Sequence, residues 1–518
     1  MNTRTTACLL SFVFLGFGCR QKERSWSVYK ADAASSSYSP YADINTKNLS
    51  RLKPAWTFNP DDATEGARFG SAESNPIVVD GVMYAASARH RIYAIDAGTG
   101  TQIWSFDPFH GGRGGGVCRG VTYWEEGSDK RILFTAGDQL YALNAGTGQL
   151  VLSFGDSGRV SMNTGMRDDP KSISVRPTSP GIIYRDLLII GNEVSELYGA
   201  QPGYIRAYNV RTGKLVWTFH TIPKPGEPGY ETWPKDAWKY AGGANDWGGL
   251  SLDEKRGMGF LATGSPSYDF SGSDRAGQNL FGNCVVALDA LTGKYIWHFQ
   301  TIHHDLWDYD LPAPPNLVTI LRNGKKIDAI AQTSKVGFLY VLNRETGEPL
   351  FPVEERPVPV SDVPGEQAWP TQPFPLKPKP YARQQLTEAD LSDFSPAAHD
   401  SLLKTFRHLR YEGLFTPPSL RGTLSYPGTI GGSEWGGAAY DPGTGILYLK
   451  SNESPEITRL KKLDTAAVAD SLTGFDSGRQ TYLTYCAGCH KSDRYGDEPQ
   501  FPSLADLKKR MPETEALQ

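Results

Sequence analysis

The chain has 518 residues and a formal net charge of −4, long enough for a large core and more than one domain. So small a negative balance gives no basis for a nucleic-acid partner. With 55 Gly, 36 Pro, 12 Trp and 25 Tyr, the composition is turn-rich and aromatic-rich. That favours an all-β architecture of many short strands over a helical one.

Residues 1–19 read as a targeting signal outside the fold. Arg4 precedes an apolar run from Ala7 to Phe17 that is too short to span a bilayer, and the run ends at Gly18-Cys19. The pattern resembles a bacterial lipoprotein signal, with Cys19 the lipidated residue. A plain secretory signal and a core strand are the alternatives. Export to the periplasm or cell envelope, with membrane attachment only through this lipid, is the expectation. Of the six cysteines, Cys118 and Cys284 belong to no other motif, and the sequence leaves their pairing open.

A repeating unit fills residues 26–455. YAIDAGTGTQIWSF begins at Tyr93 and YALNAGTGQLVLSF at Tyr141. AYNVRTGKLVWTF follows from Ala207, ALDALTGKYIWHF from Ala287 and YVLNRETGEPLFPV from Tyr340. Each copy predicts a strand, a turn built on Asp or Asn with Thr-Gly, and a second strand. The anchors Asp96, Asn144, Asn209, Asp289 and Asn343 are 48, 65, 80 and 54 residues apart. A period near fifty with insertions predicts a β-propeller, because one such unit cannot bury both its faces alone. Loops would converge at the axis, a natural ligand site. The insertions His220–Tyr240 and Pro352–Pro380 are expected as long surface loops, the second too Pro-rich for regular structure. Leu386–Leu409 reads as helical. A linker is expected over 456–475, with Leu460, Leu463 and Ala467 at helical spacing.

The last segment, 476–518, carries Cys486, Cys489 and His490 in a C-x-x-C-H motif. This spacing attaches haem c through two thiols, with His490 ligating the iron. Met511 is the candidate distal ligand. The segment reads as the start of an α-helical cytochrome c domain, and the chain therefore as a fragment or an unusually short product.

The repeats together with QTIHHDLWDYDLPAPP, from Gln300, resemble the pyrroloquinoline quinone (PQQ)-dependent dehydrogenases, in particular the glucose, quinate and shikimate branch. The likeness covers residues 26–455. It implies an eight-bladed propeller, with the last blade material missing here, that carries PQQ and calcium or another divalent cation. By resemblance Asp308 is the base and Lys335 the cation over the quinone oxygens. Arg119 in CRGVTYW and Thr178 in RPTSPGIIY would hold the cofactor's carboxylates, and Trp247 in GGANDWGG would lie under its plane. Trp435 in GGSEWGG would be a further aromatic contact. Glu196 would bind the metal, with Glu193 a rival, and Asp308 would also touch it. Ser265 stands where alcohol-oxidising members have Asn, so Asn279, Asp274 or backbone oxygens would complete the ligand set. FHGGRGGGVCRG lacks the family's adjacent cysteines, and Gly115 stands where the sugar-oxidising branch has His. That loop leaves the pocket open unless His110 reaches in. The twin His303 and His304 are read as orienting the loop that bears Asp308, since neighbours on a strand face opposite ways.

The resemblance thus implies oxidation of a sugar or cyclic polyol, with electrons passing through haem c to a respiratory acceptor. The alternative is a non-enzymatic propeller of PQQ-like repeats that serves as an envelope assembly scaffold. Arg119, Trp247, Asp308 and Lys335 together separate the two.

Overall fold

The computed structural model describes residues 26–60, 73–112, 114–170 and 173–462, with residues 482, 494, 504 and 505. Cys19, Cys486, Cys489, His490 and Met511 lie outside these. Six antiparallel sheets follow one another along the chain. Their first strands are Ile77–Val79, Thr122–Glu126, Ile182–Tyr184, Ser251–Asp253, Asn316–Arg322 and Ala438–Asp441. Sheets one to four have four strands each, sheet five has three and sheet six has two. From sheet two onward, the first strand of each sheet lies beside the first strand of the next. This is the propeller arrangement. The expected eight-bladed ring is not closed among the described residues.

The repeated motif supplies the third strand, the turn and, in three sheets, the fourth strand. Asp96 Oδ1 accepts from the Gly98 and Thr99 N–H groups at 3.1 and 2.8 Å, and Asn144, Asn209, Asp289 and Asn343 do the same in their turns. In sheets one, three and four the fourth strand carries a tryptophan that docks on the next turn, and Trp56, outside any strand, docks in the same way. Trp56 lies over Gly100, Trp104 over Gly148, Trp217 over Gly293 and Trp297 over Gly347. A Cβ at Gly148 would sit 2.6 Å from the Trp104 ring, and the backbone there has φ +71°. Only glycine meets both demands. Trp104 Nε1–H also donates to the Ala145 carbonyl at 3.0 Å.

Two copies of the repeat depart from expectation. In the copy at Tyr141, Leu152 takes the place of the docking tryptophan and is exposed. Only an isolated Leu143–Leu150 bridge forms there, and Arg159–Ser161 supplies the fourth strand. In the copy at Tyr340, Pro349 offers no N–H, and the pairing again stops at one bridge, Leu342–Pro349.

The insertions also correct the sequence reading. Pro352–Pro380 is not irregular throughout, because Val353–Pro357 pairs with Thr371–Pro375. A two-stranded ribbon leaves each strand one unpaired edge, which accommodates proline. His220–Tyr240 contributes Ile222, Trp233 and Ala237 to a small buried cluster with Ala241 and Ala244, so it is more than a surface loop. The expected helix forms at Pro396–His408, capped by Ser395 Oγ, which accepts from Ala398 N–H at 3.2 Å. Beyond the expected boundary at 455, Glu456–Thr458 still pairs with Thr423–Ser425. Cys118 and Cys284 are free thiols buried in separate core clusters, which closes the question of their pairing.

An N-terminal strap crosses the inner strands. The Trp26 carbonyl accepts from Val78 N–H at 2.7 Å, Ala33 from Leu252 at 2.7 Å, Ala34 from Leu317 at 2.9 Å and Ser36 from Tyr440 at 2.8 Å. It thereby joins sheets one, four, five and six.

Gly148→Ala is expected to destabilise the fold by about 2 kcal/mol or more, from left-handed backbone and steric overlap together. Gly81→Ala, at φ +80° with open space around it, should cost only the backbone part. Urea unfolding midpoints of the two variants test the difference.

Candidate functional site

The inner loops of sheets two to five enclose a cavity of ≈ 260 Å³. Arg119, Glu196, Trp247, Ser265 and Lys335 line it, together with Glu193, Asn245, Asp269 and Asp310. Residues up to 216 positions apart in sequence thus meet in one place.

Asp308 sits on a tight turn that a single carboxylate shapes. Asp305 is fully buried; its Oδ1 accepts from Trp307 N–H at 2.8 Å and its Oδ2 from Tyr309 N–H at 2.8 Å. Ser265 Oγ and Asn283 Nδ2 lie 2.5 and 2.7 Å from the same Oδ2. Asp308 is held between these anchors with φ +58°, a conformation that non-glycine residues adopt at a cost. Its carboxylate meets Lys335 Nζ at 2.9 Å, and Asp310 lies 3.5 Å from the same nitrogen.

The charges are closely balanced. Burial pushes the Asp308 carboxyl well above the usual range; Lys335 opposes this, and Asp310 and Glu196 add to it. Burial likewise favours a neutral Lys335, yet Asp308, Asp310 and Glu434 outweigh it and hold the ammonium protonated well above the usual lysine range. Burial raises Asp310 too, but Lys335 and the bonds from Trp247 and Ser265 bring it below the usual carboxylate range. Asp269 is 3 % exposed, makes no hydrogen bond or ion pair among the described residues, and is pushed well up by burial and then by Asp308, Glu196 and Asp310. Glu196 and Glu193 open into the cavity, and burial by the surrounding protein is the largest cause raising each.

Two indoles and an arginine form the neighbouring part. Trp247 Nε1–H donates to Asp310 Oδ2 at 2.8 Å. The Arg119 guanidinium carbon lies 5.1 Å from the centres of both the Trp247 and Trp435 rings. Arg119 pairs with Glu73 at 2.9 Å and donates to Thr178 Oγ1 at 2.9 Å, while its Nε has no partner among the described residues.

The structure therefore brings Arg119, Thr178, Trp247, Trp435, Asp308 and Lys335 into one connected group, with Glu196 on the cavity wall. Ser265 is also on the wall, but its hydroxyl lies between Asp305 and Asp310 at 2.5 and 3.0 Å, engaged with carboxylates. Asn279 is bonded to buried Arg275 and, like Asp274, does not line the cavity. His110 is exposed and does not reach in. His303 and His304 bind different acids, Glu355 at 3.1 Å and Glu366 at 3.0 Å, both from the Pro-rich insertion. They brace the loop and are no joint metal site. Among the described residues no three His, Cys, Asp or Glu side chains converge as metal ligands. The sequence reading missed Glu73, Lys30, Asp305, Asp269 and Asp310. Asp310 alone had a local signal, two residues after Asp308 in WDYD.

Comparison with known proteins gives consistent matches. The family model "PQQ: Glucose/ethanol/alcohol dehydrogenase, beta-propeller domain" matches residues 26–489. The quinate/shikimate dehydrogenase (quinone) of Acinetobacter baylyi is 34% identical over 450 residues, 82% of this chain and 55% of that protein. The quinoprotein glucose dehydrogenase of Escherichia coli is 33% identical, over 85% of this chain and 57% of that protein. The chain thus spans a little over half the length of these relatives. The crystal structure of quinohemoprotein alcohol dehydrogenase from Comamonas testosteroni aligns with TM-score 0.61 and 26% identity, covering 84% of this chain and 58% of that one.

Lys335→Met leaves the Asp308–Asp310 pair without its cation, and such a loss costs about 3–5 kcal/mol. The carboxyls would then sit above their unfolded pKa values, so the variant's stability should fall as pH rises from 5 to 8. Adding Asp308→Asn should restore part of it. Urea denaturation at the two pH values checks both outcomes.

Proposed function

The chain belongs to the PQQ glucose/ethanol/alcohol dehydrogenase family, and from that premise we propose that it oxidises the hydroxyl of a sugar or cyclic polyol with PQQ. The observation that carries the reading is Lys335, which lines the same cavity as Arg119 and Trp247 and pairs behind the wall with Asp308 at 2.9 Å. PQQ is a planar quinone with three carboxylates. A flat indole, an arginine with an unpartnered buried Nε and the hydroxyls of Thr178 and Ser179 suit such a group. When bound, PQQ supplies the electrophilic carbonyl carbon that accepts a hydride.

The chain's own residues do the rest. Asp308 takes the proton of the substrate hydroxyl on its carboxylate, and its raised pKa brings it nearer to the pH at which a general base works best. Lys335 opposes the effect of burial and favours the ionised form of Asp308, and it places a fixed positive charge where a quinone oxygen gains electron density. Asp310 anchors both Trp247 and Lys335, which fixes their relative positions. Arg119 binds carboxylate, and Trp247 orients the ring.

For calcium or another divalent cation, the oxygen donors Glu196, Glu193 and Asp269 have the right chemistry. They are not assembled into a ligand group, so no step is assigned to the ion. Electrons would leave through haem c on Cys486, Cys489 and His490 to a respiratory acceptor. The protein would work in the periplasm or envelope, anchored at Cys19.

Reconstitution with PQQ and Ca²⁺, followed by dye reduction and the haem spectrum with glucose, quinate, shikimate and glycerol in turn, tests this reading. Substrate-dependent reduction that requires PQQ is expected, and its absence in folded, PQQ-bound protein would overturn the activity. Asp308→Asn should keep PQQ binding and lower kcat about 10²–10⁴-fold, the usual range for a general base.

A further inference from the structure

The strap carries a buried cation that lacks an anion. Lys30 is 5 % exposed, and its Nζ donates to the Trp435 and Gly436 carbonyls at 2.9 and 3.0 Å. It lies 5.2 Å from the centre of the Trp435 ring, and the Arg119 guanidinium carbon lies 5.1 Å from the same ring. Two cations therefore share one indole. Arg119 has Glu73 as counter-ion. Lys30 has no carboxylate partner among the described residues, and its third N–H has no acceptor there. Burial first, and then repulsion from Arg119, bring its pKa down to about 8.

A buried ammonium without an anion is unfavourable. The strap nonetheless forces it into place: Lys30 has φ +62° and Ala31 φ +81°, both left-handed without glycine. Strained backbone that presents an unpaired charge is a pattern of ligand sites. The charge is cationic, sits beside the arginine that faces the cavity, and touches an aromatic ring. The complementary ligand is a planar anion bearing carboxylates.

We propose that Lys30 is a cofactor-binding residue, with its ammonium pairing one carboxylate of PQQ alongside Arg119. This rests on the PQQ reading above. The strap then serves two purposes, joining four sheets and delivering a charge to the cofactor.

The test measures Kd of the apo chain for PQQ and for PQQ trimethyl ester by quenching of tryptophan fluorescence, in wild type, Lys30→Met, Lys30→Gln and Lys30→Arg. Lys30→Met and Lys30→Gln should weaken PQQ by about tenfold or more, the low end for a charge-assisted bond. They should leave the ester within about twofold, since only the charge is removed. Lys30→Arg should stay close to wild type for both. Lys30→Gln keeps a hydrogen-bond donor for the two carbonyls and covers the case in which Lys30→Met does not fold. Unchanged PQQ affinity in the neutral variants would overturn the proposal. So would equal weakening of PQQ and ester, because that is the signature of a displaced strap. A wild-type chain that binds neither quinone would instead overturn the PQQ reading itself, and this inference with it.

Discussion

Sheets one and two, three and four, and four and five are each locked together by an indole lying on a glycine turn. This contact sets the spacing and tilt of neighbouring sheets, because a flat ring tolerates little sliding over a backbone that has no Cβ. Once the outer edges are fixed in this way, the inner strands must converge, and the loops between them must face a common centre. The cavity follows from the docking. Where the tryptophan is replaced by Leu152, the local strand fails to form, and the sheet recruits Arg159–Ser161 in its place.

The centre is held by polar groups, which makes it costly to build and precise once built. Asp305 uses both carboxylate oxygens to tie down the backbone on either side of Asp308. Asp310 does the same for Trp247 and Ser265. Lys335 is the one ammonium between two carboxylates, and no hydrophobic substitute would hold that geometry. Farther out, the Pro-rich insertion sends Glu355 and Glu366 to His303 and His304. The loop bearing Asp308 is therefore braced from outside as well as from below. Such bracing suits a group that must meet a reacting atom at fixed distance.

The charge is unevenly arranged. Around Trp435, Arg119 pairs with Glu73, whereas Lys30 pairs with no carboxylate among the described residues. On the cavity wall, four carboxylates from Glu193, Glu196, Asp269 and Asp310 face Lys335 and Arg119. A ligand that is anionic at one part and accompanied by a cation at another would relieve both imbalances. A non-enzymatic scaffold would gain nothing from carrying them, since buried uncompensated charge lowers stability.

Some of this was legible in the sequence. The Asp/Asn-x-Thr-Gly turns and the alternating strands announce themselves because their causes are local: an Asx side chain bonding its own turn, and a period of two in burial. Asp308, Lys335, Arg119 and Trp247 were found through the motifs around them. Other features depend on partners far away in the chain. Glu73 meets Arg119 only because the loops around sheets one and two adjoin, and Lys30 reaches Trp435 across more than four hundred residues. Neither residue has a neighbour in sequence that marks it. The Pro-rich ribbon was misread for a related reason, since its pairing comes from a strand partner and not from propensity. The sequence by itself determined the repeating unit and most of the residues that gather at the cavity. Tertiary structure alone decided which charges meet, because the energy of a buried ion depends on distance and desolvation, and neither is written along a chain.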